Sequence, residues 1–182
     1  MASIMNGIAA TRLYKTYSGT FLSFADYMKP SLRLAALMKI DPIQVFTHDS
    51  IGLGEDGPTH QPIEQINMLR LIPNSYVFRP CDMMETVACW KVALKITNGP
   101  SFICLSRQNL PQISNKKVSL NNFKGAYVIS QSSKVNHITI IASGSEVSLA
   151  IETANFLNKK MIETKVISMP VSYTHLTLPT KA

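Results

Sequence analysis

The chain has 182 residues, 46% apolar and 16% charged, with eight Gly and ten Pro in no period. That composition excludes wholesale disorder and a collagen-like repeat, and the lack of a long unbroken apolar run excludes a membrane-spanning helix. The net charge of +7, from 18 Lys and Arg against 11 Asp and Glu, favours anionic partners, but the bases are scattered, so neither nucleic acid nor an acidic membrane surface is expected.

Taken in chain order, Thr20 to Lys39 is predicted to be a helix, since Phe21, Phe24, Met28, Leu32 and Ala35 recur at steps of three and four. Pro30 is expected to kink it. Ile43 to Thr47, "IQVFT", is a short β-branched run expected to form a buried strand. A glycine-rich loop, Asp49 to His60, leads into a helix from about Pro62 to Leu71. Tyr76 to Arg79 is predicted as a strand, and Asp82 with Glu85 three residues later marks a capping box that opens a helix to about Ile96. Ser101 to Ser106, "SFICLS", is another buried strand. Strand and helix in alternation predict an α/β fold with a parallel, doubly wound sheet.

Beyond it, a polar stretch over 110–125 is the expected linker. Strands at Ala126 to Ser130, His137 to Ala142 and Thr164 to Ser168, with a helix from Glu146 to Lys160, then predict a second, incomplete α/β domain. His137, at the head of its strand, is expected to be structural. Three widely spaced cysteines, Cys81, Cys89 and Cys104, fit no disulfide or zinc pattern. They are expected to be buried thiols in a reducing, cytoplasmic compartment, and the N-terminus has no secretory pattern.

The chemistry concentrates in Thr47 to Pro62, "THDSIGLGEDGPTHQP", at the carboxyl end of a buried strand, where open α/β sheets bind ligands. Gly52, Gly54 and Gly57 fit G-x-G-x-x-G by letter, but four residues separate them from the strand, and Glu55 and Asp56 would repel a phosphate. His48, Asp49 and His60 could ligate zinc, though their spacing matches no standard site. The third reading is a plain glycine-rich turn whose histidines satisfy loop hydrogen bonds. From the residues alone all three stay open.

The same stretch, with Phe46 before it, resembles the signature of transketolases, thiamine-diphosphate enzymes of the pentose phosphate pathway. Thr20 to Met38 resembles that family's cofactor-ring segment, "RPCDMMETVACWKVAL" and "GPSFICLSRQNLP" its next two stretches, and "IASGSEVSLAIETANFL" and "VISMP" the start of its C-terminal domain. The resemblance implies a pyrimidine-binding middle domain over 1–109, the linker, and the start of the C-terminal domain over 126–170. Residues 171–182 resemble no part of the family. They look like out-of-frame or adapter-derived translation, and no structural role is expected for Tyr173 to Ala182, His175 included.

The resemblance also assigns roles. Phe21, Phe24 and Tyr27 are similar to the aromatics that enclose the aminopyrimidine ring. His48 and His60 resemble substrate-site histidines that bind sugar hydroxyls and move protons, work that imidazole suits. Asp56 resembles the aspartate that contacts a substrate hydroxyl, and Arg107 the arginine that grips the substrate phosphate, for which a guanidinium's paired donors are apt. Glu55 is expected to be a loop or dimer-interface residue.

The implied reaction moves a two-carbon glycolaldehyde unit from a ketose phosphate to an aldose phosphate within a homodimer. Thiamine diphosphate and a divalent metal such as magnesium are the implied cofactors, with the cofactor-activating glutamate in a family motif just upstream of Met1 and the metal ligands in a preceding domain. The chain is therefore expected to be a fragment, inactive alone. The alternatives are a regulatory or scaffolding module that kept the fold without catalysis, and one half of a split transketolase. Which sugar phosphates are used is left open.

Overall fold

The computed structural model describes residues 1–113, 125–131 and 138–174. Most of the expected linker, His137 and His175 lie outside the described residues.

Helix α1 (Ala2–Ala10) precedes strand β1 (Tyr17–Phe21), a 3₁₀ turn (Leu22–Phe24), and helix α2 (Ala25–Leu37). Strand β2 (Ile43–Thr47), helix α3 (Gln65–Arg70), strand β3 (Ser75–Phe78), helix α4 (Met83–Ala93) and strand β4 (Ser101–Cys104) follow. The sheet order is β1-β2-β4-β3, all parallel. All five residues of β2 are buried or half-buried and all four of β4 are buried, as strands covered on both faces require.

The strand period of two sorts their side chains. Phe46, Val77, Phe102 and Cys104 pack with Leu32, Ala36 and Leu69 beneath α2 and α3. Ile43, Phe78 and Ile103 pack with Cys89 and Ala93 of α4 on the opposite face. Helices on both faces make the sheet doubly wound, as the sequence predicts.

Three boundaries differ, each for a physical reason. Tyr17–Phe21 is an edge strand rather than the lead-in to a helix, because its backbone pairs with β2 from Tyr17↔Ile43 to Phe21↔Thr47. Phe21 and Phe24 mimic a helical period because the 3₁₀ turn between them also returns every third residue. Helix α2 then runs through Pro30. Helix α3 starts at Gln65, not Pro62, because the Gln65 side chain accepts the Ile63 N–H at 2.9 Å and donates to the Asp26 carboxylate of α2 at 3.1 and 3.2 Å. That side chain makes the turn the backbone would otherwise make. The Asp82 cap forms as expected, its carboxylate accepting the Glu85 N–H at 2.9 Å.

In the second unit, strand β5 (Tyr127–Ser130), strand β6 (Ile138–Ala142), helix α5 (Glu146–Lys159) and strand β7 (Thr164–Ser168) make a three-stranded sheet of order β5-β7-β6. β6 and β7 are parallel and β5 is antiparallel. Strand β8 (Val171–Thr174) then returns to the first sheet and runs antiparallel to β3, from Ser75↔Thr174 to Phe78↔Val171. This corrects the expectation that nothing past Ser172 has a structural role: Tyr173 and Thr174 take ladder positions beside Tyr76 and Ser75. The three cysteines are free and buried, and burial pushes the Cys104 thiol up to about 12.

Candidate active site

The parallel register places the site. Phe21 ends β1 opposite Thr47, the last residue of β2, so the next residue, His48, emerges beside Phe21. Its imidazole stacks on the Phe21 ring with centroids 3.7 Å apart and planes 22° from parallel. His48 adopts a left-handed backbone, φ 60°, which a non-glycine residue holds only when its surroundings fix it. The 3₁₀ turn brings the Phe24 ring parallel to Phe21, 5.9 Å between centroids. His60, at the end of a second 3₁₀ turn (Pro58–His60), stands edge-on to both, 5.4 Å from Phe24 and 6.2 Å from Phe21. Phe21, Phe24, His48 and His60 thus form one aromatic cluster at the carboxyl edge of the sheet. Tyr27 lies at its rim, 85% exposed, with its ring 6.2 Å from Phe24.

The loop between the histidines uses its glycines for shape. Gly54 and Gly57 sit at φ 93° and 80°, conformations that a Cβ disfavours. This accounts for the G-x-G-x-x-G letters without a dinucleotide. The zinc reading also fails. Among the described residues no group of three or more His, Cys, Asp or Glu is placed to hold a metal, and the Asp49 carboxylate is taken by Arg79 at 2.7 Å. Asp56 and Glu55 are exposed in the loop. Arg107, three residues past the end of β4, is exposed and approaches the loop, with its Nε 3.9 Å from where a Cβ on Gly54 would lie.

Several contributors were not picked out from the sequence. Each histidine has its Nδ1 paired with the hydroxyl of the threonine before it, Thr47 to His48 at 3.0 Å and Thr59 to His60 at 2.9 Å. The repeated Thr-His pair was visible and is the signal that could have found them. Arg79 had no such signal. For its guanidinium, burial alone would lower the pKa, but the hydrogen bond to Glu146 and the charges of Asp49 and Glu146 raise it. Glu146 is correspondingly held below the usual carboxylate range: burial opposes ionisation, and the Arg79 hydrogen bond and charge outweigh it.

Known proteins match this architecture in both parts. The family model described as "Transketolase, pyrimidine binding domain" matches residues 1–112, and "Transketolase-like TK C-terminal domain" matches 125–177. Transketolase 2 of Aliivibrio fischeri is 49% identical over 171 residues, covering 93% of this chain and 26% of that protein. The chain therefore spans about a quarter of the length of the curated relatives it matches. The Pichia stipitis transketolase in complex with sedoheptulose-7-phosphate superposes with TM-score 0.89 at 46% identity, over 94% of this chain and 25% of that one. A split-gene transketolase, described as an inactive β4 tetramer, superposes with TM-score 0.74 at 27% identity, over 92% of this chain and 52% of its own. With more than half its length matched by the pyrimidine-domain model, this chain belongs to the transketolase family.

Proposed function

We propose that this chain supplies the ring-binding and substrate-binding share of a transketolase that carries a glycolaldehyde unit from a ketose phosphate to an aldose phosphate in the pentose phosphate pathway. The reading is carried by the aromatic cluster at the sheet edge. A flat aminopyrimidine fits beside the parallel Phe21 and Phe24 rings, 5.9 Å apart at their centroids, with Tyr27 at the rim. When bound, thiamine diphosphate supplies the two-carbon carrier. His48 and His60 face the sugar hydroxyls, each with Nδ1 engaged by its threonine, which leaves Nε2 for the substrate, and His60 exchanges protons with them. Asp56 contacts a further hydroxyl, and Arg107 holds the phosphate.

The diphosphate and a divalent metal such as magnesium are held outside this segment, between the subunits of a cytoplasmic homodimer. Residues 1–109 form the pyrimidine-binding unit and 126–170 the beginning of the C-terminal one.

A chimera tests the reading. Residues 1–170 replace the matching quarter of the Aliivibrio fischeri enzyme, and transfer between sugar phosphates is assayed. Transfer is expected. Arg107→Ala in that chimera should raise KM for phosphorylated substrates by roughly 10–150-fold, the equivalent of about 1.5–3 kcal/mol for a charge-assisted contact, with an unphosphorylated acceptor unaffected. A folded, cofactor-binding chimera without transfer would establish the scaffolding alternative instead.

A second measurement concerns the 182 residues alone. Ring stacking supplies only a few kcal/mol against the cost of immobilising a ligand. Calorimetry should therefore detect no tight thiamine-diphosphate binding, and micromolar binding overturns this. The likeness to a split-gene transketolase favours one further reading, in which the chain pairs with a separate diphosphate-binding half. Activity restored by mixing two such chains would show it.

A further inference from the structure

We infer that Arg79, which no transketolase role assigned above includes, is a positioning residue that sets the His48 imidazole by locking the backbone next to it to the second unit. The relevance of this to catalysis rests on the substrate-site reading of His48; the coupling itself does not.

Arg79 lies just past the end of β3, and both its backbone groups are taken by the second unit. Its N–H donates to the Pro170 carbonyl at 2.7 Å, and its carbonyl accepts the Gly144 N–H at 3.0 Å. The side chain divides its donors between the two units. Nη1 reaches the Ser143 carbonyl at 3.1 Å and also the Glu146 carboxylate, and Nη2 donates to that carboxylate at 3.0 Å. Nε points the other way and donates to Asp49 Oδ2 at 2.7 Å.

The guanidinium is seated in a close-fitting cradle. A Cβ on Gly144 would lie 2.9 Å from both Cγ and Nε of Arg79, a distance at which something must shift. The arginine therefore has no free space on the side of Gly144.

Asp49 is the sensitive end of this arrangement. Its side chain is 1% exposed, and its other oxygen, Oδ1, has no hydrogen-bond partner among the described residues. The bond from Arg79 is thus what compensates a buried carboxylate, and a buried charge that loses its partner must find water or move. Asp49 cannot move alone, because the residue before it is His48, held at φ 60° with its ring stacked on Phe21. Releasing Asp49 releases the left-handed residue that the surroundings were forcing. The imidazole then leaves the face of Phe21. His60 meets this chain of contacts only at its far end, edge-on to the Phe21 ring at 6.2 Å; its other fixings are the Thr59 hydroxyl and the Phe24 ring, and neither depends on Arg79 or Asp49.

That asymmetry makes the proposal testable on the 182-residue chain by NMR of its histidine ring protons, with His60 as an internal control. In the unmodified protein the His48 ring protons should resonate upfield, shielded by Phe21. In Arg79→Gln that displacement should be lost while the His60 signals stay in place. Should Arg79→Gln fail to fold, Asp49→Ala, which removes the acceptor for Arg79 Nε, reads the same coupling and should give the same selective loss. Glu146→Gln, which leaves the Asp49 contact standing, should retain the His48 shift. An unmoved His48 in Arg79→Gln and Asp49→Ala overturns the proposal, as does an equal movement of both histidines, which would report only general loosening. A selective His48 shift combined with unimpaired transfer by a His48→Ala chimera would leave the coupling standing and remove the substrate-site reading.

Discussion

Glu85→Ala should destabilise the chain by about 3–5 kcal/mol, the cost of leaving several donors without their acceptor and of the cavity left behind. Urea unfolding followed by the fluorescence of Trp90, the single tryptophan, measures it. Glu85 is fully buried in α4, and its carboxylate gathers donors from both units. One oxygen accepts the Cys81 N–H at 2.7 Å. The other accepts the Tyr127 hydroxyl of β5 at 2.7 Å and the Ser168 hydroxyl of β7 at 2.5 Å. Alanine leaves two buried donors and the half-buried Tyr127 hydroxyl without this acceptor, and opens a void between the units.

Glu85→Gln separates charge from bonding. Its carbonyl can still accept from Cys81, and its amide can donate to the two hydroxyls, which are able to rotate and accept. A cost of only about 1–2 kcal/mol is expected for it. An alanine variant within about 1 kcal/mol of the unmodified chain would show that the units are held by apolar packing rather than by this clamp.

The sequence carried Glu85 only as a capping residue, and the gap is instructive. Asp82 and Glu85 lie three apart, so the cap is local and legible. Tyr127 and Ser168 are 42 and 83 residues from Glu85, and no periodicity encodes a contact at that distance. The same division runs through the fold. β2 and β7 fall on the predicted residues because buried β-branched runs announce themselves. β1 was hidden, because an edge strand containing Ser18 and Gly19 has little apolar pattern and exists by pairing with β2. α1 was missed for a similar reason. It has no side-chain cap and is held by Asn6 donating to the Ser31 carbonyl at 2.8 Å and by Ala9 packing on Ala35. In the site, the long loop motif made His48 and His60 legible, and the resemblance of Thr20 to Met38 made Phe21 and Phe24 so. Asp49 and Arg79, whose partnership joins residues 30 apart across α3 and β3, were not.

His60→Ala, in the chimera, should lower kcat by roughly 10²–10⁴-fold, the range for losing a positioned proton-transfer group. The fold should barely notice. His60 is half-buried at a loop end, and its contacts are one threonine hydroxyl and the edges of two rings. A urea midpoint close to that of the parent therefore assigns the lost rate to chemistry. His60→Gln sharpens the attribution, since an amide can hydrogen-bond a sugar hydroxyl but cannot trade its proton. It should recover KM while kcat stays low. His48→Ala should behave differently, because its ring covers the face of Phe21 at 3.7 Å. Removing it exposes the aromatic cluster to water, so KM for the sugar and affinity for the cofactor ring should weaken together with kcat. If His60→Ala retains more than a tenth of kcat with its fold intact, proton exchange belongs to His48, and the edge-on imidazole serves only to close the cluster.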